Sequence, residues 1–466
     1  MTGIRHSMSV ARALATSSFA LAASFAVFGD PPAKAPSGPQ APPALAPPTT
    51  TLDPRVDATK ITKQELPSLP REVVRPLPAT HRIAARAADV PIGDESYAAA
   101  RRAIDSGLAY LRKSQRPSGA WMEKEAVQPT DQPRASTAAL AVTAMGAKAF
   151  MQVVPDDVQG RKALATVANA IRERGYDGAA EGGVGTYVAS AVVSALAASG
   201  DRGLEDELRD GIAWLKKNQW DQSEGIAPDQ DWFGGAGYGR SKRPDLSNTQ
   251  MMLDAFHDAG VSPDDPAVQR ALAFVERSQN VRSNDATWAK GGSSDGGFVY
   301  TPANGGESFA SDKAGEGRSG EKLPAGQPRS LRSYGSMTYA GFKSLLYAGL
   351  SRDDERVKAA FDWICRHYTF DENPGLGPEG LFYYLHAMSR ALLASQQQTI
   401  PSIGSDGATK DRNWREDLVA ALVARQRPDG SWVNSADRWE ESQPDLVTIY
   451  SLLALEEAIK PTLRTE

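Results

Sequence analysis

Four stretches of this chain align without gaps, and each ends in glutamine: GLAYLRKSQ (107–115), GIAWLKKNQ (211–219), ALAFVERSQ (271–279) and LVAALVARQ (418–426). Repetition at intervals of tens of residues restricts a fold more than composition can, because each unit must bury its apolar face against a copy of itself. A looser fifth copy, FDWICRHY (361–368), carries Tyr368 where the others have Gln. Two copies continue almost identically, as QRPSGAW (115–121) and QRPDGSW (426–432). In the other two the loop from Gln lengthens, reaching Trp232 and Trp288.

Each of these amphipathic segments leads through a Gly-rich loop into a second, more uniformly apolar helical stretch. The second stretches lie at 136–150, 186–199, 247–256, 336–350, 380–394 and 445–459, and a degenerate first helix at 161–175 completes the set of pairs. An amphipathic helix has one face to bury and an apolar helix has all of them, so the first helices belong outside and the second inside. Six such hairpins predict an all-α fold, an α/α toroid or (α/α)6 barrel, over 93–466. The Gly- and Ser-rich segment 291–333 is expected to be a flexible loop insertion.

The N-terminus reads differently. Arg5 and Arg12 precede a short apolar stretch at 13–28, the pattern of a secretory signal or N-terminal anchor within 1–30. Residues 31–92 are rich in Pro and Ala and predict a disordered linker. The chain is therefore expected to be exported, periplasmic or secreted, with membrane association through the N-terminal segment where that segment is not cleaved. A net charge of -5 offers no basic footprint for nucleic acid. One cysteine, Cys365, leaves no disulfide framework and no multi-cysteine zinc site. His367 lies two residues away and so points to another helix face, and no metal or cofactor is expected.

The Gln–x(2–4)–Gly–x–Trp loop after an amphipathic helix resembles the QW repeat of squalene–hopene and oxidosqualene cyclases, whose toroid is shared with protein prenyltransferases. The resemblance covers roughly residues 96–459. It implies that Gln115, Trp121, Gln426 and Trp432 are structural braces, the amide bonding helix-end backbone and the indole stacking over the turn. It also implies an isoprenoid, lipid or other apolar ligand in a central cavity.

The cyclases of that family start their reaction with an acid in Asp-x-Asp-Asp-Thr. Here the matching stretch is Asp245-Leu246-Ser247-Asn248-Thr249, so Ser247 and Asn248 stand where acids are needed, and standard proton-initiated cyclisation is not expected. Ser247 as helix cap with Gln250 three residues on accounts for the stretch as a capping box. Asp245 and Asn248 remain weak catalytic candidates, together with Asp371 and Glu372 of DENPGLGPEG. Aromatic residues that would line a cavity are Tyr334, Tyr339, Phe382, Tyr384 and Tyr450. Two other readings are a non-catalytic binding scaffold with a filled ring, and a carbohydrate-active enzyme with acids such as Asp295, Asp371, Glu372 and Glu441 at one mouth.

Overall fold

The computed structural model describes residues 90–461, except 123–136, 180–182, 240–241, 292, 314–330 and 405. The expected signal, anchor and most of the Pro/Ala-rich linker lie outside the described residues, as does part of the expected loop insertion. The described helices are α1 (Asp94–Ser114), α2 (Thr137–Val153), α3 (Val158–Ala179), α4 (Gly185–Ser199), α5 (Glu205–Lys217), α6 (Leu246–Asp258), α7 (Pro266–Arg277), α8 (Phe309–Lys313), α9 (Gly335–Tyr347), α10 (Glu355–Arg366), α11 (Leu381–Ser395), α12 (Trp414–Arg425) and α13 (Pro444–Ile459).

Six of them form an inner ring. In turn α2 packs on α4, α4 on α6, α6 on α9, α9 on α11, α11 on α13, and α13 back on α2. Helices α1, α3, α5, α7, α10 and α12 stand outside: α1 packs on α13, α3 on α2, α5 on α4, α7 on α6, α10 on α9, and α12 on α13 and α11. The fold is an α/α toroid of six hairpins. Among the described helices none is long and apolar enough to cross a membrane.

The outer helices are chained by one repeated joint. The Gln115 amide donates to the carbonyls of Gly119 (3.0 Å) and of Gln159 on the next outer helix (2.9 Å). Gln219 does the same to Gly234 and Ala267, Gln279 to Gly296 and Arg356, and Gln426 to Gly430 and Ala103. The last of these closes the circle onto α1. In the remaining two joints a tyrosine replaces the glutamine: Tyr176 donates to the Glu207 carbonyl (2.9 Å) and Tyr368 to the Asp417 carboxylate (2.9 Å).

The joint glycine is required because it turns with positive φ directly against the neighbouring helix backbone. A Cβ at Gly234 would lie 1.7 Å from the Arg270 carbonyl oxygen, and one at Gly296 would lie 2.1 Å from that of Ala359. Two residues beyond each joint glycine, a backbone N–H is caught by a threonine of the inner helix. Trp121 donates to Thr143, Ala236 to Thr249, Phe298 to Thr338 and Trp432 to Thr448. This corrects the sequence alignment: Ala236 and Phe298, not Trp232 and Trp288, occupy the positions of Trp121 and Trp432. The indoles of Trp121 and Trp432 donate to Leu111 and Leu422, four residues before each joint Gln.

Candidate functional site at the mouth of the ring

The axis of the ring is layered. Its C-terminal half, where the inner helices end, is not apolar as the sequence predicts but carries a buried ionic plug. Lys343 Nζ donates to Gln250 (2.6 Å) and Asp254 (2.7 Å), Lys148 pairs with Asp258 (2.5 Å), Arg390 bridges Asp258 (2.9 Å) and Asp254 (3.5 Å), and Lys460 pairs with Glu457 (2.9 Å). All these side chains are buried. Burial alone would raise the Asp258 carboxyl, but Arg390 and Lys148 outweigh it and hold it well below the usual range. Glu457 is likewise brought down to about 2, because Lys460 and Arg390 outweigh the effect of burial. Glu456 has burial as its largest influence and rises well above the ordinary value. The negative ends of the inner-helix dipoles converge here, which suits four basic side chains.

Above the plug lies a hydroxyl layer. Ser247 Oγ shares hydrogen bonds with Tyr187 Oη (2.5 Å) and Tyr383 Oη (2.8 Å), and Gln250 Nε2 donates to Tyr383 Oη (3.1 Å). The stretch 243–256 therefore differs from its sequence reading. The cap of α6 is Asp245, whose carboxylate accepts the Asn248 backbone N–H and the Asn248 Nδ2 (both 2.8 Å). Ser247 and Gln250 are not a capping box, because the helix starts at Leu246 and turns both side chains onto the ring axis. Burial pushes the Asp245 carboxyl up to about 7, against the bonds from Asn248 and the charge of Arg243.

At the N-terminal ends of the inner helices sits a small cavity of about 20 Å3, lined by Tyr187, Tyr334, Tyr383, Tyr450, Phe309, Trp439, Ser336, Met337 and one acid, Glu441. Room for one water is about what such a volume holds. Glu441 is 1% exposed. Its carboxylate accepts the Tyr383 backbone N–H (2.8 Å) at the start of α11 and the Asn434 Nδ2 (2.7 Å). It thereby supplies α11 with the cap that the helix's own flanking residue, Gly380, cannot give. Burial pushes this carboxyl up to about 7, opposed by those same hydrogen bonds.

A lid covers the cavity. The Arg438 guanidinium lies over the Phe309 ring (5.1 Å) and the Trp439 ring (4.4 Å), and is tied to Glu379 (2.7 Å). Trp439 and Glu440 both have positive φ, 62° and 64°. Each such non-glycine residue costs about 1–3 kcal/mol, and strain of this kind gathers at sites where it serves a purpose. Gly380 makes room for the lid, since a Cβ there would sit 2.9 Å from the Trp439 ring.

The residues singled out from sequence fall into three groups. Tyr334 and Tyr450 line the cavity. Tyr339 and Tyr384 pack edge to face on each other (5.5 Å) with Tyr384 donating to the Thr369 carbonyl, and Phe382 is core, so these three are not cavity residues. Asp371 is exposed and pairs with Arg425, Glu372 is exposed, and Asp295 accepts from Gly297 and Ser333 within its own loop; none of them reaches the mouth. Of the acids named above, Glu441 alone lines the cavity. Its loop partners Trp439 and Arg438, and Phe309, were not apparent in the sequence.

No protein-family model matches the chain, and no curated protein matches it. Solved structures similar to it include the type II terpene cyclase MstE from Scytonema in complex with its product merosterolic acid A. That likeness has 13% identity and a TM-score of 0.43, over 80% of this chain and all of that one. The GH76A alpha-1,6-mannanase from Salegentibacter is similar at 9% identity and a TM-score of 0.45, over 78% of this chain and 98% of that one. A protein from Actinoplanes is similar at 14% identity and a TM-score of 0.34, over 77% and 99%. Likenesses of this degree say nothing about substrate, and the chemistry must be argued from the site itself.

Proposed function

We propose that the protein binds an isoprenoid or other largely apolar ligand at the mouth of the ring, under the Trp439 lid, with Glu441 acting as a general acid–base on a polar oxygen group that the ligand carries. The carrying observation is the lining: six aromatic rings and a single desolvated carboxyl. The cavity is about 20 Å3, whereas ligand pockets run to about 300–1,000 Å3, so admitting the chain requires Trp439 and Phe309 to swing out. The ionic plug sets the depth, and the ligand occupies the mouth rather than the whole axis.

A carboxyl with its pKa near 7 is a weaker acid than usual, too weak to protonate an unactivated alkene, and suited to general acid–base transfer near neutral pH. This keeps the reading apart from the proton-initiated cyclisation that the 245–249 stretch lacks the acids for. The N-terminal segment, as an anchor, would hold the ring at a membrane surface where apolar ligands collect. The test is displacement of a hydrophobic fluorophore by C15 and C20 isoprenoid alcohols. Saturable one-to-one displacement supports the proposal; displacement by mannotriose but not by the alcohols overturns it.

A further inference from the structure

Away from the axis, the long loops that follow α5 and α7 enclose an open groove of about 590 Å3. Its centre is an aromatic corner. Trp220 and Trp232 meet edge to face, with centroids 4.9 Å apart and planes at 82°. Both indole N–H groups are already engaged, Trp220 donating to the Lys242 carbonyl (2.9 Å) and Trp232 to Asn304 Oδ1 (3.2 Å). What these half-buried rings present to the groove is therefore carbon and π surface.

Asp229, Asp231 and Asp285 stand around the corner, and no lysine or arginine is among the described lining residues. The Arg277 guanidinium donates to the carbonyls of Pro228 and Gln230, and its charge acts on Asp231. The groove is thus anionic and aromatic together. Anions are repelled from it, a neutral apolar ligand would strip water from carboxylates without compensation, and a primary ammonium is strongly hydrated and wants donors satisfied on all sides. A quaternary ammonium has a diffuse charge and an alkyl shell that needs no hydrogen bonds, and it is attracted to indole faces. Burial raises the Asp231 carboxyl; Arg277 opposes the rise, and the neighbouring Asp285 adds a smaller push in the same direction as burial.

We propose that this groove binds a small quaternary ammonium cation of the choline type, its alkyl shell on Trp220 and Trp232 and its charge beside Asp231 and Asp285. The proposal is independent of the mouth of the ring. The test is isothermal titration of the whole protein with tetramethylammonium and choline, beside the neutral isostere of choline in which carbon replaces the ammonium nitrogen. Saturable one-site binding, about ten-fold or more tighter for the cations than for the isostere, is expected.

Asp285→Asn and Trp232→Ala are each expected to weaken the cations about ten-fold, and Asp371→Asn, on a different loop, to leave them unchanged. Asp285 is exposed, so its replacement keeps the fold and the test stands even where Trp232→Ala does not. Equal affinity for cation and isostere, no saturable cation binding, or binding of a neutral oligosaccharide in place of the cation would each overturn the proposal.

Discussion

Replacing Glu441 by glutamine tests the desolvated acid through stability as well as activity. In the folded protein burial raises this carboxyl from 4.5 to about 7. At about 1.4 kcal/mol for each tenfold change in proton affinity, the rise corresponds to about 3 kcal/mol. The sign follows from which state holds the proton more tightly. A carboxyl with its pKa raised by folding makes the native state the better proton acceptor, so its contribution is present below the unfolded value and is lost as pH rises through the folded one.

The amide introduced by Glu441→Gln cannot ionise. Relative to wild type, the variant should gain about 3 kcal/mol as pH goes from 4.5 to 7 and then level off. Below that window it should be the weaker protein by about 1 kcal/mol, because one amide oxygen cannot accept from both Tyr383 and Asn434. Urea unfolding of both proteins at steps between about pH 4 and 8, which bracket the two pKa values, gives the difference curve. Other buried groups, Asp245, Glu456 and His386 among them, titrate alike in both proteins and cancel. A flat difference, or one that slopes the other way, refutes the assignment.

Three further outcomes follow from the packing. Gln279→Ala removes the donor shared by the Gly296 and Arg356 carbonyls at a fully buried joint, and should lower the unfolding free energy by about 2 kcal/mol, read from the urea midpoint. Arg390→Met leaves Asp254 and Asp258 short of their partner inside the plug and should cost about 3–5 kcal/mol at neutral pH, seen as a fall in melting temperature. Gly380→Ala sets a Cβ against the Trp439 ring at a backbone φ of 67°. It should cost about 1–3 kcal/mol and, by displacing the lid, raise the binding of a hydrophobic dye above wild type.

The ring was legible in the sequence because its determinants are local and repeated. A Gln at the end of an amphipathic helix, a glycine in the loop and a Thr in the next helix recur at separations that one-dimensional comparison can find. Where the loops lengthen, the reading slips. Trp232 and Trp288 catch the eye, yet Ala236 and Phe298 hold the equivalent positions, because register is set by the joint glycine rather than by the next indole. Tyr176 was missed for a related reason, since a phenol can replace an amide as donor without any resemblance in sequence.

The interior was legible only in part. Gln250, Asp254 and Asp258 recur every four residues along one helix, a polar stripe visible in the sequence. Its partners Lys148, Lys343 and Arg390 come from three other helices and appear only when the ring closes. The mouth is harder still. Glu441 sits in a loop that reads as an ordinary turn, and its significance lies in burial against the start of α11, which no local pattern encodes.

The most direct test of the proposed ligand site is photo-crosslinking with a C15 isoprenoid alcohol that carries a diazirine, mapped by peptide mass spectrometry. Saturable labelling at the mouth, on the peptides that carry Phe309, Tyr334, Met337, Tyr383 and Trp439, is the predicted result. Labelling spread over the outer helices, or labelling that free isoprenoid alcohol does not compete away, would contradict it.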